Sequence, residues 1–150
     1  MENKLYQIRH SLAHILAMAV LERDPKVKLA IGPAIDTGFY YDFELTKPIG
    51  EEDLQALEKR MRELLKENLE FVGEENDPLS TKEIFEGQPY KQELITDFTN
   101  EGQKLTIFKT GDFTDLCAGG HVTSTKEIDP DAFTLTKVAG AYWRGDENNK

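Results

Sequence analysis

All three histidines of this chain, and its only cysteine, sit in two short motifs near its opposite ends. The first is His10-Ser11-Leu12-Ala13-His14 and the second is Cys117-Ala118-Gly119-Gly120-His121. If the motifs act together, the fold must bring these two segments side by side. Histidines at i and i+4 of a helix stack on one face, roughly 6 Å apart, which is a bidentate geometry. Cys117 and His121 flank two glycines that disfavour a continuous helix. The same glycines permit a tight turn that brings sulfur and imidazole together and exposes backbone N–H groups. The four donors suit a tetrahedral zinc ion, or a metal-free cluster in which a histidine deprotonates water. A catalytic zinc keeps one position open, so one of the four would then stand outside its ligand set. Each motif alone has a plainer explanation: surface histidines without a role, or a buried free cysteine. That the two motifs exhaust the histidine and cysteine content favours a joint role.

The 150 residues, 39% of them hydrophobic, fit one domain or one domain with a small lobe. No apolar run approaches the ~18 residues that span a bilayer, and Met1-Glu2-Asn3-Lys4 does not open a signal peptide. One cysteine cannot form an internal disulfide, so a cytoplasmic chain without membrane contact is expected. A net charge of −10 and a pI near 4.8 argue against a free-standing nucleic-acid binder. They leave room for a domain that touches only the tip of a nucleic acid, with a shallow salt dependence.

Leu5, Ile8, Leu12, Ile15 and Ala19 recur at helical spacing and predict a helix from Tyr6 to Arg23, ended by Asp24-Pro25. Val27–Ile31 and the aromatic Gly38–Leu45 read as strands, with a hairpin turn at Thr37-Gly38. Glu51–Asn68 carries one apolar stripe with acidic residues at its start, a strong helix signal. Leu69–Val72 reads as a strand. Ser80-Thr81-Lys82-Glu83 reads as a capping box before a short helix through Phe85. Gln88–Phe98 reads as a helix with Pro89 in its first turn, and Leu105–Lys109 as a strand. Gly111–His121 reads as a loop, and Phe133–Trp143 as a last strand. This order implies an α+β domain with a largely antiparallel sheet.

Two further residues carry chemistry. Asp115 could orient a histidine or hold a substrate amine; its plain alternative is a loop turn residue. Lys91 could hold a phosphate or a developing oxyanion, and its plain alternative is a solvated surface lysine. Phe39, Tyr40 and Tyr41, bracketed by Gly32-Pro33 and Gly38, could support a base or ribose, or fill the core. Tyr142-Trp143-Arg144-Gly145-Asp146 is compact, and Arg144 could pair with Asp146 or with phosphate.

HSLAH, IGPAIDTGFYYDF, PYK, DLCAGGHV and VAGAYWRGDENNK together resemble the N-terminal editing region of bacterial-type threonyl-tRNA synthetases, over residues 6 to 150. The HxxxH and CxxxH pair is shared with alanyl-tRNA synthetase editing domains and free-standing alanyl-tRNA editing proteins. The resemblance implies the second-additional-domain fold of these synthetases, an antiparallel sheet with a helix in its cleft. It divides the chain into an editing domain, 1–143, and a connector, 144–150, towards a catalytic domain. Carried over residue by residue, it places an editing cluster on His10, His14, Lys91, Asp115, Cys117 and His121. His10, His14, Cys117 and His121 are the residues that zinc would accept, although the resemblance requires no cofactor.

Two departures stand out. The family commonly has Arg-Gly-Pro where this chain has Ala118-Gly119-Gly120, closer to the alanyl type and short of one positive charge. No segment precedes the first helix, so the small N-terminal domain of many members is expected to be absent, as are the ATP and anticodon sites.

The implied activity is hydrolysis of seryl-tRNA(Thr) at its 3′ end, without aminoacylation. Serine lacks one methyl of threonine, and a missing methyl discriminates by only about 1–3 kcal/mol, so a second, hydrolytic site is needed. The partners implied are the 3′ end of mischarged tRNA(Thr) and the rest of a synthetase chain. Two alternatives remain: a free-standing alanyl-tRNA editing hydrolase, and a zinc-stabilised binding module without catalysis.

Overall fold

The computed structural model describes residues 4–32, 34–36, 38–47, 49–116 and 121–135. Helix α1 (Lys4–Arg23) is the element around which the rest packs. Leu12, Ala13, Ile15, Ala17, Ala19 and Val20 are buried along it. One flank meets helix α2 (Leu54–Leu65), and another meets the hairpin of β2 (Ala34–Ile35) and β3 (Gly38–Phe39). Ile15 is 0% exposed, and burying such a side chain stabilises the fold by about 1.5–3 kcal/mol. The histidine face of α1 is not a solvent face: His14 is 2% exposed, and Ser11 between the histidines is 0% exposed. The helix stops at Asp24, whose carboxylate accepts hydrogen bonds from the Thr46 backbone N–H (2.9 Å) and hydroxyl (2.6 Å).

The segment expected as two simple strands is an irregular antiparallel ladder. β1 (Lys28–Leu29) pairs with β4 (Phe43–Glu44), and β2 pairs with β3. Between them Ala30 N–H donates to the Asp42 carbonyl (3.0 Å) and Asp42 N–H to that of Ile31 (2.7 Å). Leu29 opposes Phe43, but Ala34 opposes Phe39, so the register slips by one residue midway. Thr37, in the expected turn, lies outside the described residues.

The helix expected from Glu51 to Asn68 is shorter. Glu51–Asp53 form a 3₁₀ turn, in which the Asp53 carboxylate accepts from Gly50 N–H (2.9 Å), and α2 begins at Leu54. The chain leaves α2 after Leu65, and Asn68 takes a left-handed backbone (φ 57°) that stops further winding. Leu57, Met61, Leu64 and Leu65 bury the apolar stripe of α2.

A second sheet has the order β5 (Val72–Asn76), β6 (Leu105–Thr110), β7 (Phe113–Leu116), all antiparallel. Three expectations are corrected here. The strand expected at Leu69–Val72 lies further on, at β5, whose residues are mostly exposed. Leu69 and Phe71 instead exchange backbone bonds with Thr125 and Thr123. The loop expected from Gly111 contains β7, because Gly111 (φ 58°) and Asp112 form a two-residue turn that returns the chain along β6. The capping box at Ser80 is not a helix start: α3 (Pro78–Ile84) begins earlier, with Pro78 in its first turn. Its cap is Asp77, which accepts from Ser80 N–H at 2.8 Å.

Helix α4 (Pro89–Asn100) matches its expectation to within two residues. Phe85, Ile95, Leu105, Ile107 and Leu116 form a small second core under α3 and α4. The fold is therefore α+β, and every described strand pairing is antiparallel. Of the expected strand Phe133–Trp143, residues 133–135 are irregular and 136–143 lie outside the described residues, as does the connector 144–150.

Candidate functional site

The segment after His121 meets the helix that carries His10 and His14. Val122 N–H donates to the Ser11 hydroxyl oxygen (3.0 Å), joining the residue after His121 to the helix turn between His10 and His14. Val122 is 2% exposed and Ser11 0%, so the bond is shielded from competing water. Sequence reasoning missed Ser11, although it stands inside the first motif.

The three imidazoles form a stack closed by aromatic rings. His10 lies face to face with His121 at 4.1 Å between centroids, interplanar angle 21°. His14 meets His121 edge-on at 5.3 Å and Phe113 edge-on at 4.7 Å. Phe71 (5.3 Å) and Phe108 (4.5 Å) also pack on His121. This apolar setting disfavours charge on the rings. Burial lowers the pKa of His14 to about 4, with His10 and Lys91 adding repulsion and Asp115 partly opposing it. Burial, then His10 and His14, lower that of His121 to about 2. Both rings are neutral at pH 7. The His14 Nε2 atom is buried and makes no hydrogen bond to a described group.

Beside the stack lies a buried ionic cluster. Lys91, on the first turn of α4, is 2% exposed, and its Nζ is 2.7 Å from Asp115 Oδ1. Asp115 stands on β7 rather than in a loop, and Lys91 is not a surface lysine. Asp115 Oδ1 also accepts from Leu116 N–H (2.8 Å), and Oδ2 accepts from the Tyr41 hydroxyl (3.0 Å). Burial alone would raise the Asp115 carboxyl, but Lys91, His14 and these hydrogen bonds hold it below the usual carboxylate range. Tyr41, from the aromatic run, is 8% exposed, so that run contributes to the core and to the cluster at once. Lys91 Nζ also lies 5.5 Å from the centre of the Tyr41 ring.

His10, His14, Lys91, Asp115 and His121 are thus placed in one region from four segments of the chain. Cys117 lies outside the described residues. Among the described residues no group of three or more His, Cys, Asp or Glu side chains is arranged to hold a metal.

The family described as "Threonyl and Alanyl tRNA synthetase second additional domain" matches residues 105–150. The threonine–tRNA ligase of Borrelia duttonii is 50% identical over 146 residues, 97% of this chain and 25% of that protein. This chain is related to the threonyl-tRNA ligases. Those of Gloeobacter violaceus (51% over 146 residues; 96% of this chain, 23% of that protein) and Dehalococcoides mccartyi (51% over 140 residues; 93% and 23%) agree. The chain spans about a quarter of the length of these curated relatives. The matched segment 105–150 includes Asp115 and His121, while His10, His14 and Lys91 fall in the longer alignments. Among the described residues no helix is long and apolar enough to cross a membrane.

Proposed function

We propose that this chain hydrolyses the ester bond of mischarged seryl-tRNA(Thr), as the proofreading part of a threonyl-tRNA ligase. The observation that carries the proposal is the meeting of neutral imidazoles with a buried Lys91–Asp115 pair, in a chain related to threonine–tRNA ligases. A water oxygen bonds to the seryl carbonyl carbon while His10, the histidine nearest the helix start, takes the water proton. The tetrahedral centre then collapses, its bond to the ribose oxygen of the terminal adenosine breaks, and that oxygen takes the proton back from His10, giving serine and uncharged tRNA. Lys91 offsets negative charge on the tetrahedral oxygen. Its burial argues for that role over gripping a terminal phosphate. Asp115 holds the seryl ammonium: a carboxylate offers about four acceptor positions, and the described groups use three. His14 and His121 border the reacting ester, Cys117 is proposed to join them, and threonine is excluded by the clash of its extra methyl. The proposal places the chain in the cytoplasm, with the tRNA 3′ end and the rest of a ligase chain as partners.

The direct test is release of the amino acid from charged tRNA(Thr). Serine should be freed far faster than threonine, and equal rates on the two would end the assignment. His10→Ala should slow release by about 10²–10⁴-fold, the usual cost of losing a general base. Circular dichroism should show the fold intact. A variant that melts lower but keeps the rate of its folded fraction would make His10 structural.

A further inference from the structure

The motif IGPAIDTGFYYDF takes no direct part in the chemistry above, yet its first glycine controls the geometry of the site. We infer that Gly32 is a positioning residue: its missing side chain is what allows the Tyr41 ring to lie where its hydroxyl reaches Asp115. A Cβ built on Gly32 would overlap Tyr41 Cδ2 and stand 2.7 Å from Cε2 and 2.9 Å from Cγ. Gly32 has no left-handed φ, unlike Gly87, Gly102 and Gly111, so the requirement is for space and not for backbone conformation.

The near-contact has a structural origin. Gly32 and Tyr41 lie in the stretch where the register of the ladder slips by one residue. Such a slip re-aims side chains. The tyrosine ring lies across the glycine backbone, as the Phe108 ring lies across its cross-strand partner Gly73 in the regular β5–β6 ladder. The ring has no free retreat, because Phe43 stacks on it at 4.8 Å with an interplanar angle of 20°. Cγ lies on the axis about which the ring turns, so rotation can carry Cδ2 and Cε2 away but leaves the 2.9 Å contact with Cγ. The hydroxyl at the far end is one of three donors that Asp115 has within the described residues. Moving it loosens the carboxylate that Lys91 is paired with.

The inference rests on the proposed hydrolase activity and is tested by a double-mutant cycle on the whole chain. Wild type, Gly32→Ala, Tyr41→Phe and the double variant are compared for single-turnover serine release and for melting temperature. Gly32→Ala should slow release about tenfold or more, the scale of one hydrogen bond to a charged group. In the Tyr41→Phe background it should have no further effect on rate, because the hydroxyl it displaces is already gone. Melting should fall in both backgrounds, because phenylalanine keeps the ring carbons that clash. Equal slowing in both backgrounds, or none in either, would overturn the inference. If Gly32→Ala does not fold, combining it with Tyr41→Leu should restore folding, and failure to do so would also overturn it. A wild-type chain inert on seryl-tRNA would refute the hydrolase reading alone. The nuclear Overhauser contact between the Tyr41 and Phe43 rings would still report on Gly32: its loss in Gly32→Ala supports the inference, and its persistence refutes it.

Discussion

Lys91 and Asp115 are buried as an ion pair, whereas His14, buried beside Asp115, and the half-buried His121 that packs on it are neutral rings. In the first cluster each charge has a partner: Nζ on Oδ1, with Tyr41 and the Leu116 N–H completing the carboxylate. In the second, phenylalanine and histidine faces surround the imidazoles, and the interior is satisfied by removing the charge. Desolvation acts on both, and what decides the outcome is whether a counter-charge stands within reach. The contrast yields a site with a fixed ionic end and an uncharged aromatic end.

The sharpest way to break the contrast is to take one ion away. Lys91→Met leaves the Asp115 charge in the interior without its main partner and should destabilise the chain by about 3–5 kcal/mol. Urea titration measures it. The double variant Lys91→Met/Asp115→Leu should recover much of that loss, since a buried pair replaced by apolar groups is often close to neutral. A single-variant cost no larger than that of an exposed pair, about 0–1 kcal/mol, would show that water reaches Lys91.

The neutral end responds to pH instead. The unfolded chain binds protons on His14 and His121 near the ordinary value of 6.5, while the folded chain holds them off until about 4 and about 2. Their stabilisation is complete above pH 6.5 and is lost as the pH falls below it, at up to about 1.4 kcal/mol per pH unit for each histidine. Asp115 has a lowered value, so its contribution is lost only below the usual carboxylate range. Between pH 7 and pH 5 the expected loss from these two histidines is about 2–4 kcal/mol. Denaturant midpoints across that window check it. A flat profile would mean that the imidazoles are already solvated.

How much of this was legible in the sequence depends on where the determining contacts lie. Helices α1, α2 and α4 and strand β6 follow from local periodicity, because each buries a stripe that its own residues define. β5 was misplaced because its Glu74 and Glu75 face water on a sheet edge, where polarity hides the pairing that makes it a strand. β7 was hidden because its pairing partner, β6, makes it a strand and the run looked like a loop by itself. The helix α3 cap went to Asp77 because Pro78 fixes the first turn, which outweighs the capping pattern at Ser80. In the site, His10, His14 and His121 stood out by scarcity. Lys91 and Asp115 are candidates in the sequence only beside plainer readings as a surface lysine and a turn residue, because nothing local distinguishes a buried lysine from a surface one, and the resemblance is what adds weight to them. Ser11 carries no signal of its role because its partner lies far along the chain, and Gly32 reads in the sequence as a turn residue beside the aromatic run because the ring that overlies it is brought there by the fold.

Ser11 gives the smallest of the expected effects and bears on how the two ends of the site are held in register. Its hydroxyl oxygen accepts the Val122 N–H where neither group meets solvent. Ser11→Ala leaves that donor buried and unpaired, which costs about 1–3 kcal/mol, while the alanine keeps good helix propensity and makes only a small void. The loss should appear in thermal melts, and more locally as faster hydrogen exchange at the Val122 amide. Because Val122 follows His121 directly, release of this bond frees the backbone that holds the His121 ring against His10, and serine release should slow with it. If the Val122 amide stays protected and stability is unchanged, ring packing alone joins the two motifs. The neutral end would then be self-assembling, and only the ionic end would need built-in partners.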